Sequence, residues 1–154
     1  MKRMILVLLL LVLAAPTIAA ADNLDKYVEL LRSDLRTVKT ELLTEALEFK
    51  GDEGAKFWPI QREYEIELAK LGDQRLQMIK DFAANYGNLS PEMAKDLTDR
   101  AFKLDSARAA LLKKYTGKIS KEVGPVTGAR FAQCESLIYS LVDVKVRSEL
   151  PLMK

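Results

Sequence analysis

Glu63 and Glu67 stand four residues apart and are the first pair in this sequence whose type and spacing could do chemistry. Paired carboxylates one helical turn apart can bind a divalent metal or share a proton. A helical di-iron site would also need Glu-x-x-His motifs, and the chain has no histidine. The same absence removes the usual serine and cysteine triads and His-ligated zinc or haem. The pair therefore reads as solvated charge. Lys113, Lys114, Lys118 and Lys121 cluster toward the end of one helical segment, where cations complement the helix dipole. Their functional alternative is a patch for an acidic client or anionic lipid head groups.

The run Gly124-Pro125-Val126-Thr127-Gly128-Ala129-Arg130 has the glycines of a phosphate loop but lacks the Gly-Lys-Ser/Thr ending, so a helix stop followed by a helix start explains it. No serine sits in a Gly-x-Ser-x-Gly elbow. Cys134, the single cysteine, lies among apolar positions and reads as a buried thiol, with an intermolecular disulfide as the alternative. An enzyme built on carboxylates alone would need two of them converging in a closed cleft with shifted pKa values. No catalytic, metal-binding or cofactor-binding set is assigned, and the reading is of a non-enzyme.

The most distinctive local feature is Phe57-Trp58-Pro59 with Tyr64. It is either core packing across a helix kink or, if Trp58 is exposed, an anchor of the kind that dominates interfaces.

These residues sit on four predicted helices. In the first, about 24–49, Leu24, Val28, Leu31, Leu35, Val38 and Leu42 form a seam with alternating spacings of four and three, widened by Leu30, Leu43 and Leu47. Lys50-Gly51-Asp52 supplies its stop. The second helix, about 53–86, carries Phe57, Ile60, Tyr64, Leu68, Leu71, Ile79, Phe82 and Tyr86 on its apolar side, with Pro59 inside a continuous, kinked helix. Ser90, Pro91 and Glu92 open the third, about 91–122, with Met93, Leu97, Ala101, Leu104, Leu111, Tyr115 and Ile119 inward. Its outer face pairs Asp96 with Arg100 and Asp99 with Lys103. Thr127 caps the fourth, about 128–149, which contains Phe131, Leu137, Ile138, Leu141 and Val144 and ends before Pro151.

The class is all-α. At about 1.5 Å per residue the second and third helices are near 50 Å long. That length suits an elongated antiparallel hairpin with two further helices packed on it, as a monomer or a homodimer, as well as it suits a closed four-helix bundle.

Residues 1–21 read as a secretory signal, with Lys2 and Arg3, the apolar run Ile5–Ala15 and the small residues Ala19-Ala20-Ala21 before cleavage at Asp22. The apolar run is short of the roughly 20 residues that span a bilayer, and Pro16 interrupts it. The expectation is a periplasmic or secreted single domain, 22–154, with no transmembrane span after cleavage. The whole chain has 24 basic and 22 acidic residues, and losing Lys2 and Arg3 leaves 22 of each sign. Neutral, mixed charge and export both argue against nucleic acid as a partner.

Phe57-Trp58-Pro59-Ile60 followed by Tyr64, and then Ala129-Arg130-Phe131 with Gln133 and Glu135, resembles a family of small exported helical proteins of proteobacterial type. More distantly, the size, export and helix count are similar to the Spy/CpxP group, whose members act as ATP-independent chaperones or stress-system regulators on a cradle-shaped helical dimer. The repeated Leu-Thr-x-x-Gln of that group is altered here: Leu43-Thr44-Glu45-Ala46 is followed by Leu47, and Leu89-Ser90-Pro91-Glu92 by Met93. In the closer family an aromatic is expected where Gln61 stands and a plain apolar residue where Cys134 stands.

The resemblance makes Phe57, Trp58, Pro59, Tyr64, Arg130, Phe131, Gln133 and Glu135 the candidate structural or interaction residues. Arg130, Gln133 and Glu135 would form a buried polar set, with Arg130 paired to Glu63 or Glu67 and fixing register. The implied partners are other proteins: unfolded clients of a Spy-like holdase, contacted through Met78, Met93 and the Lys113–Lys121 cluster, or one dedicated envelope partner of a regulatory or structural protein. No cofactor is implied.

Overall fold

The computed structural model describes residues 35–153. The signal segment, its cleavage point and the beginning of the first predicted helix lie outside the described residues. Those described form four helices and no strand: α1 over 35–47, α2 over Glu53–Asn85, α3 over Pro91–Glu122 and α4 over Pro125–Glu149. A single 3-10 turn, Tyr86–Asn88, follows α2. The fold is all-α, and the helix starts explain much of it.

At the start of α3 the Ser90 hydroxyl accepts from the Met93 amide at 3.2 Å, and Pro91, which has no N–H to leave unpaired, fills the first position. The Glu92 carboxyl is held below the usual carboxylate range by its backbone hydrogen bond and then by Ser90. α4 uses the same proline device. Gly124 is its N-cap, Pro125 its first residue, and the Gly128 amide closes the first turn on the Gly124 carbonyl at 3.0 Å. The predicted start at 128 with Thr127 as cap is therefore three residues late. Thr127 lies inside the helix and is buried.

α2 runs unbroken through Pro59, which faces solvent. Its first residue, Glu53, accepts from the Lys50 amide at 3.0 Å. α1 stops at 47 rather than 49, because Glu48 takes the left-handed conformation (φ 48°) that ends a helix, with Gly51 (φ 55°) completing the turn. The seam predicted for α1 is not its buried face. Leu35, Val38 and Leu42 are about half exposed, while Leu43 and Leu47, read as additions to the seam, are 0% and 2% exposed. A heptad stripe fixes which residues share a face, and the turn at Glu48 decides which face meets the core.

Residues from Leu42 onward form one compact unit. Within it α2 and α3 make an antiparallel hairpin, joined by Lys118 to Glu63, Lys114 to Glu67 at 2.8 Å and Arg100 to Asp81 at 2.8 Å. With 33 and 32 residues these helices have the predicted length of about 50 Å. α4 returns antiparallel to α3. Its Gly128 sits so close that a Cβ there would lie 2.1 Å from the Ser120 hydroxyl and 3.0 Å from the Thr116 carbonyl. The absence of a side chain sets the spacing of this crossing.

The buried core gathers Leu43, Leu47, Phe57, Ile60, Tyr64, Leu111, Tyr115, Ile119 and Phe131. Of the predicted surface pairs on α3, Asp96 with Arg100 forms at 3.3 Å, whereas Asp99 turns to Lys95 instead of Lys103.

Candidate functional site

Phe57, Tyr64 and Phe131 recur at helical spacing on α2 and α4 and converge in the core, all 0% exposed. Phe57 meets Phe131 edge to face at 5.9 Å, Tyr64 meets Phe131 at 5.3 Å, and Tyr115 of α3 closes on Tyr64 at 5.5 Å. Such pairs add about 0.5–1.5 kcal/mol beyond the area they bury. Trp58 is half-buried and packs edge-on against Phe49 and Phe57. The cluster is core packing, with one face of Trp58 at its rim and Pro59 outside it.

Inside this aromatic layer lies a buried polar contact. The Tyr64 hydroxyl donates to the Glu135 carboxylate at 3.0 Å, and Glu135 is 2% exposed. Burial first, and then the negative charge of Glu135, push the Tyr64 hydroxyl well above the usual tyrosine range. From α3, Arg108 donates to the Glu135 backbone carbonyl at 3.2 Å and lays its guanidinium 3.3 Å from the centre of the Tyr139 ring. Tyr139 in turn donates to Asp105, which also takes Arg147, and Arg147 reaches Asp143, the partner of Arg75 on α2. The network links all three long helices.

The structure brings Phe57, Tyr64, Phe131 and Glu135 together, leaves Trp58 at the edge and separates the rest. Gln133 is exposed. Arg130 does not pair with Glu63 or Glu67, because those carboxylates face α3 and take Lys118, Lys114 and the Tyr115 hydroxyl. Instead Arg130 donates to Glu48 at 2.7 Å and to the Leu47 carbonyl at 3.3 Å, tying α4 to the turn after α1. The predicted buried set is thus Glu135 alone, completed by Tyr64 and Arg108. No local pattern marks Arg108, because its partners lie 27 or more residues away; the one signal is that it is followed directly by the small and apolar run Ala109 to Leu112.

Tyr115 is buried against the same helix face, and burial followed by its hydrogen bond to Glu67 pushes its hydroxyl up to about 12. Lys114 holds the Glu67 carboxyl low, with Tyr115 second. Cys134 is free and half-buried, its thiol raised by burial and then by Glu135. Met78 and Met93 are half-buried. Among the described residues no group of three or more His, Cys, Asp or Glu side chains could hold a metal, and no helix is long and apolar enough to cross a membrane.

A second feature is the outer face of α4. Leu137, Leu141 and Val144, at spacings of four and three, are 62%, 65% and 69% exposed, on the side of the helix away from Phe131 and Glu135. A helix apolar on two faces is built to be covered on both. Compared with family models, with curated proteins and with solved structures, the chain matches none.

Proposed function

We propose that the protein is an exported, cofactor-free module that binds other polypeptides, acting as a Spy-like holdase that needs no ATP. The observation that carries this reading is the outward stripe Leu137, Leu141 and Val144 on α4. The occupant is an apolar segment of an unfolded client. Ser136 and Ser140 border the stripe, and the nearby Lys145 and Arg147 are paired with Glu149, Asp143 and Asp105, so an apolar centre rather than a charge is what the face requires of a client. Binding is reversible burial of client surface, each leucine-sized contact contributing about 1.5–3 kcal/mol when fully covered. The aromatic core and the Tyr64–Glu135 contact hold α4 in place beneath that face.

Stoichiometric protein mixed with a thermally unfolding client, without ATP, suppresses light scattering on this reading. The double variant Leu137→Ser, Leu141→Ser, which alters only exposed side chains, loses that suppression while keeping its helical circular dichroism. Failure across several clients, with one envelope protein captured saturably, points to a dedicated-partner role instead.

A further inference from the structure

We infer that the outer face of α3 docks the protein onto an anionic lipid bilayer. This goes beyond client binding, which is assigned to α4, and uses a different face of a different helix. On α3, Phe102, Ser106, Lys113, Gly117 and Lys121 follow one another at spacings of four, seven, four and four, which keep them on one side of the helix, and Lys103 flanks them. All six are exposed. The helix meets α2 through Tyr115, Lys114 and Lys118, and α4 through Arg108, Thr116 and Ser120. The strip occupies the side left over, turned away from both.

Charge is spread along this chain far less evenly than its net charge of +2 suggests. From Lys103 to Lys121 there are six basic residues and one acid, Asp105, which Tyr139 and Arg147 take. The basic residues divide into two groups. Lys114 and Lys118 are neutralised by Glu67 and Glu63 of α2, and Arg108 is turned inward against the Tyr139 ring and the Glu135 carbonyl. Lys103, Lys113 and Lys121 have no hydrogen bond or ion pair among the described residues, and they are the three that belong to the outer strip. Positive charge that is not compensated within the molecule therefore collects on one face.

The shape of the strip selects the occupant. Lys103 and Lys121 stand 18 residues apart, about 27 Å along the helix, and the side chains between the lysines, Ser106, Ala110 and Gly117, are small. An acidic peptide needs apolar walls or hydrogen-bonding partners to hold it, and the ridge of a single helix offers neither. A flat array of mobile phosphate head groups needs neither. Small residues let the helix lie close to it, and the flexible lysine stems reach separate phosphates. Phe102, 68% exposed, is placed to sink into the boundary between head groups and acyl chains, where amphipathic surface helices put their aromatic residues. One aromatic side chain is too little apolar surface to hold a neutral bilayer, so anionic lipid is required. Docked in this way the protein keeps the Leu137, Leu141 and Val144 face open, because the residues of α4 that meet α3, Gly128 and Tyr139, lie on the other side of that helix.

Co-sedimentation of the purified protein with two kinds of vesicle tests this: phosphatidylcholine alone, and phosphatidylcholine with roughly one third phosphatidylglycerol. The difference between the two is the readout, which sets aside any binding by the apolar run Ile5–Ala15. Added binding to the anionic vesicles is expected, and it should weaken as salt rises. Each lysine near an anionic surface contributes about fivefold, so Lys113→Gln should lower the added partitioning about fivefold and the triple variant Lys103→Gln, Lys113→Gln, Lys121→Gln about a hundredfold. Arg62→Gln removes the same charge from an exposed position of α2 outside the strip and should change it by less than about twofold. Phe102→Ser should lower it severalfold. All these substitutions alter exposed side chains, and unchanged helical circular dichroism checks that each variant is folded. No added binding to anionic vesicles overturns the inference, as does binding that Lys113→Gln and Arg62→Gln reduce equally. Retention on immobilised poly-glutamate without vesicle binding assigns the strip to an acidic polypeptide and overturns the bilayer reading. Light scattering without vesicles keeps the two proposals apart: the triple lysine variant should protect a client as well as the parent does, and Leu137→Ser, Leu141→Ser should bind anionic vesicles as well as the parent does.

Discussion

The two ends of the three-helix stack are held by different forces. At the end where α2 begins and α3 gives way to α4, Phe57, Tyr64, Tyr115, Ile119 and Phe131 pack into one buried cluster capped by Leu43 and Leu47. At the opposite end Phe82 and Leu97 are buried outside that cluster, and the helices are joined mainly by Arg75 to Asp143, Arg100 to Asp81 and Arg147 to Asp105. Apolar burial is roughly additive in area, whereas exposed ion pairs contribute about 0–1 kcal/mol each and are screened by salt. The first end therefore carries the stability. The second sets how the helices line up, and there the apolar side chains of α4 face outward.

The contrast breaks first under truncation of the aromatic cluster. Phe131→Ala removes a fully buried ring that touches Phe57 and Tyr64, and should cost about 3–5 kcal/mol in chemical denaturation. Leu141→Ser at the far end of the same helix should stay within about 0.5 kcal/mol, because that side chain is 65% exposed. A similar cost at both positions would mean that the outer face of α4 is covered in solution. Next in size is Gly128→Ala, at about 1–3 kcal/mol, since the new methyl must displace the Ser120 hydroxyl and press on the Thr116 carbonyl. Ser120→Ala in the same chain should recover only part of that loss, because the backbone carbonyl cannot be trimmed.

How much of this was legible in the sequence follows the same divide. Periodicity and caps located α2 and α3 to within one residue, because Ser90-Pro91 and the long apolar stripes are local signals. Pro125 is just as local a signal, and placing the start of the last helix at 128 overlooks that it opens α4 as Pro91 opens α3. Phe57, Tyr64 and Phe131 were legible as a set from short motifs. Their convergence with Glu135 was not specified by any spacing, since the Tyr64–Glu135 contact joins residues 71 apart. Arg130 was assigned to Glu63 or Glu67 because composition shows which charges exist and not which way they face. The helix rotation that turns those glutamates toward Lys118 and Lys114 is a packing result.

The buried tyrosines sharpen the comparison through pH. Both hydroxyls are held neutral in the folded chain, Tyr115 up to about 12 and Tyr64 beyond it, while an unfolded tyrosine ionises near 10. Above pH about 10 the unfolded chain releases these protons first, so stability is full below that pH and falls as pH rises toward the folded values. Alkaline titration followed by melting temperature should show this loss. Tyr64→Phe should cost about 1–3 kcal/mol near neutrality, because Glu135 loses a buried hydrogen bond, yet give a shallower alkaline decline. A decline unchanged by that substitution would place its origin outside the aromatic end.

The smallest effect belongs to the charged end and concerns motion as much as energy. Arg75→Met removes the 2.6 Å contact to Asp143 and the approach of the guanidinium to Tyr139, and should cost only about 1 kcal/mol. High salt should reduce the difference between variant and parent, since part of the lost interaction is then already screened. Native-state hydrogen exchange should nevertheless register the change clearly. Amides of α4 beyond Tyr139 have little buried apolar contact to protect them, so they should exchange earlier than those around Phe131 and earlier still in Arg75→Met. Equal protection along the whole of α4 would require a cover over Leu141 and Val144, and with it a different account of why that face is apolar.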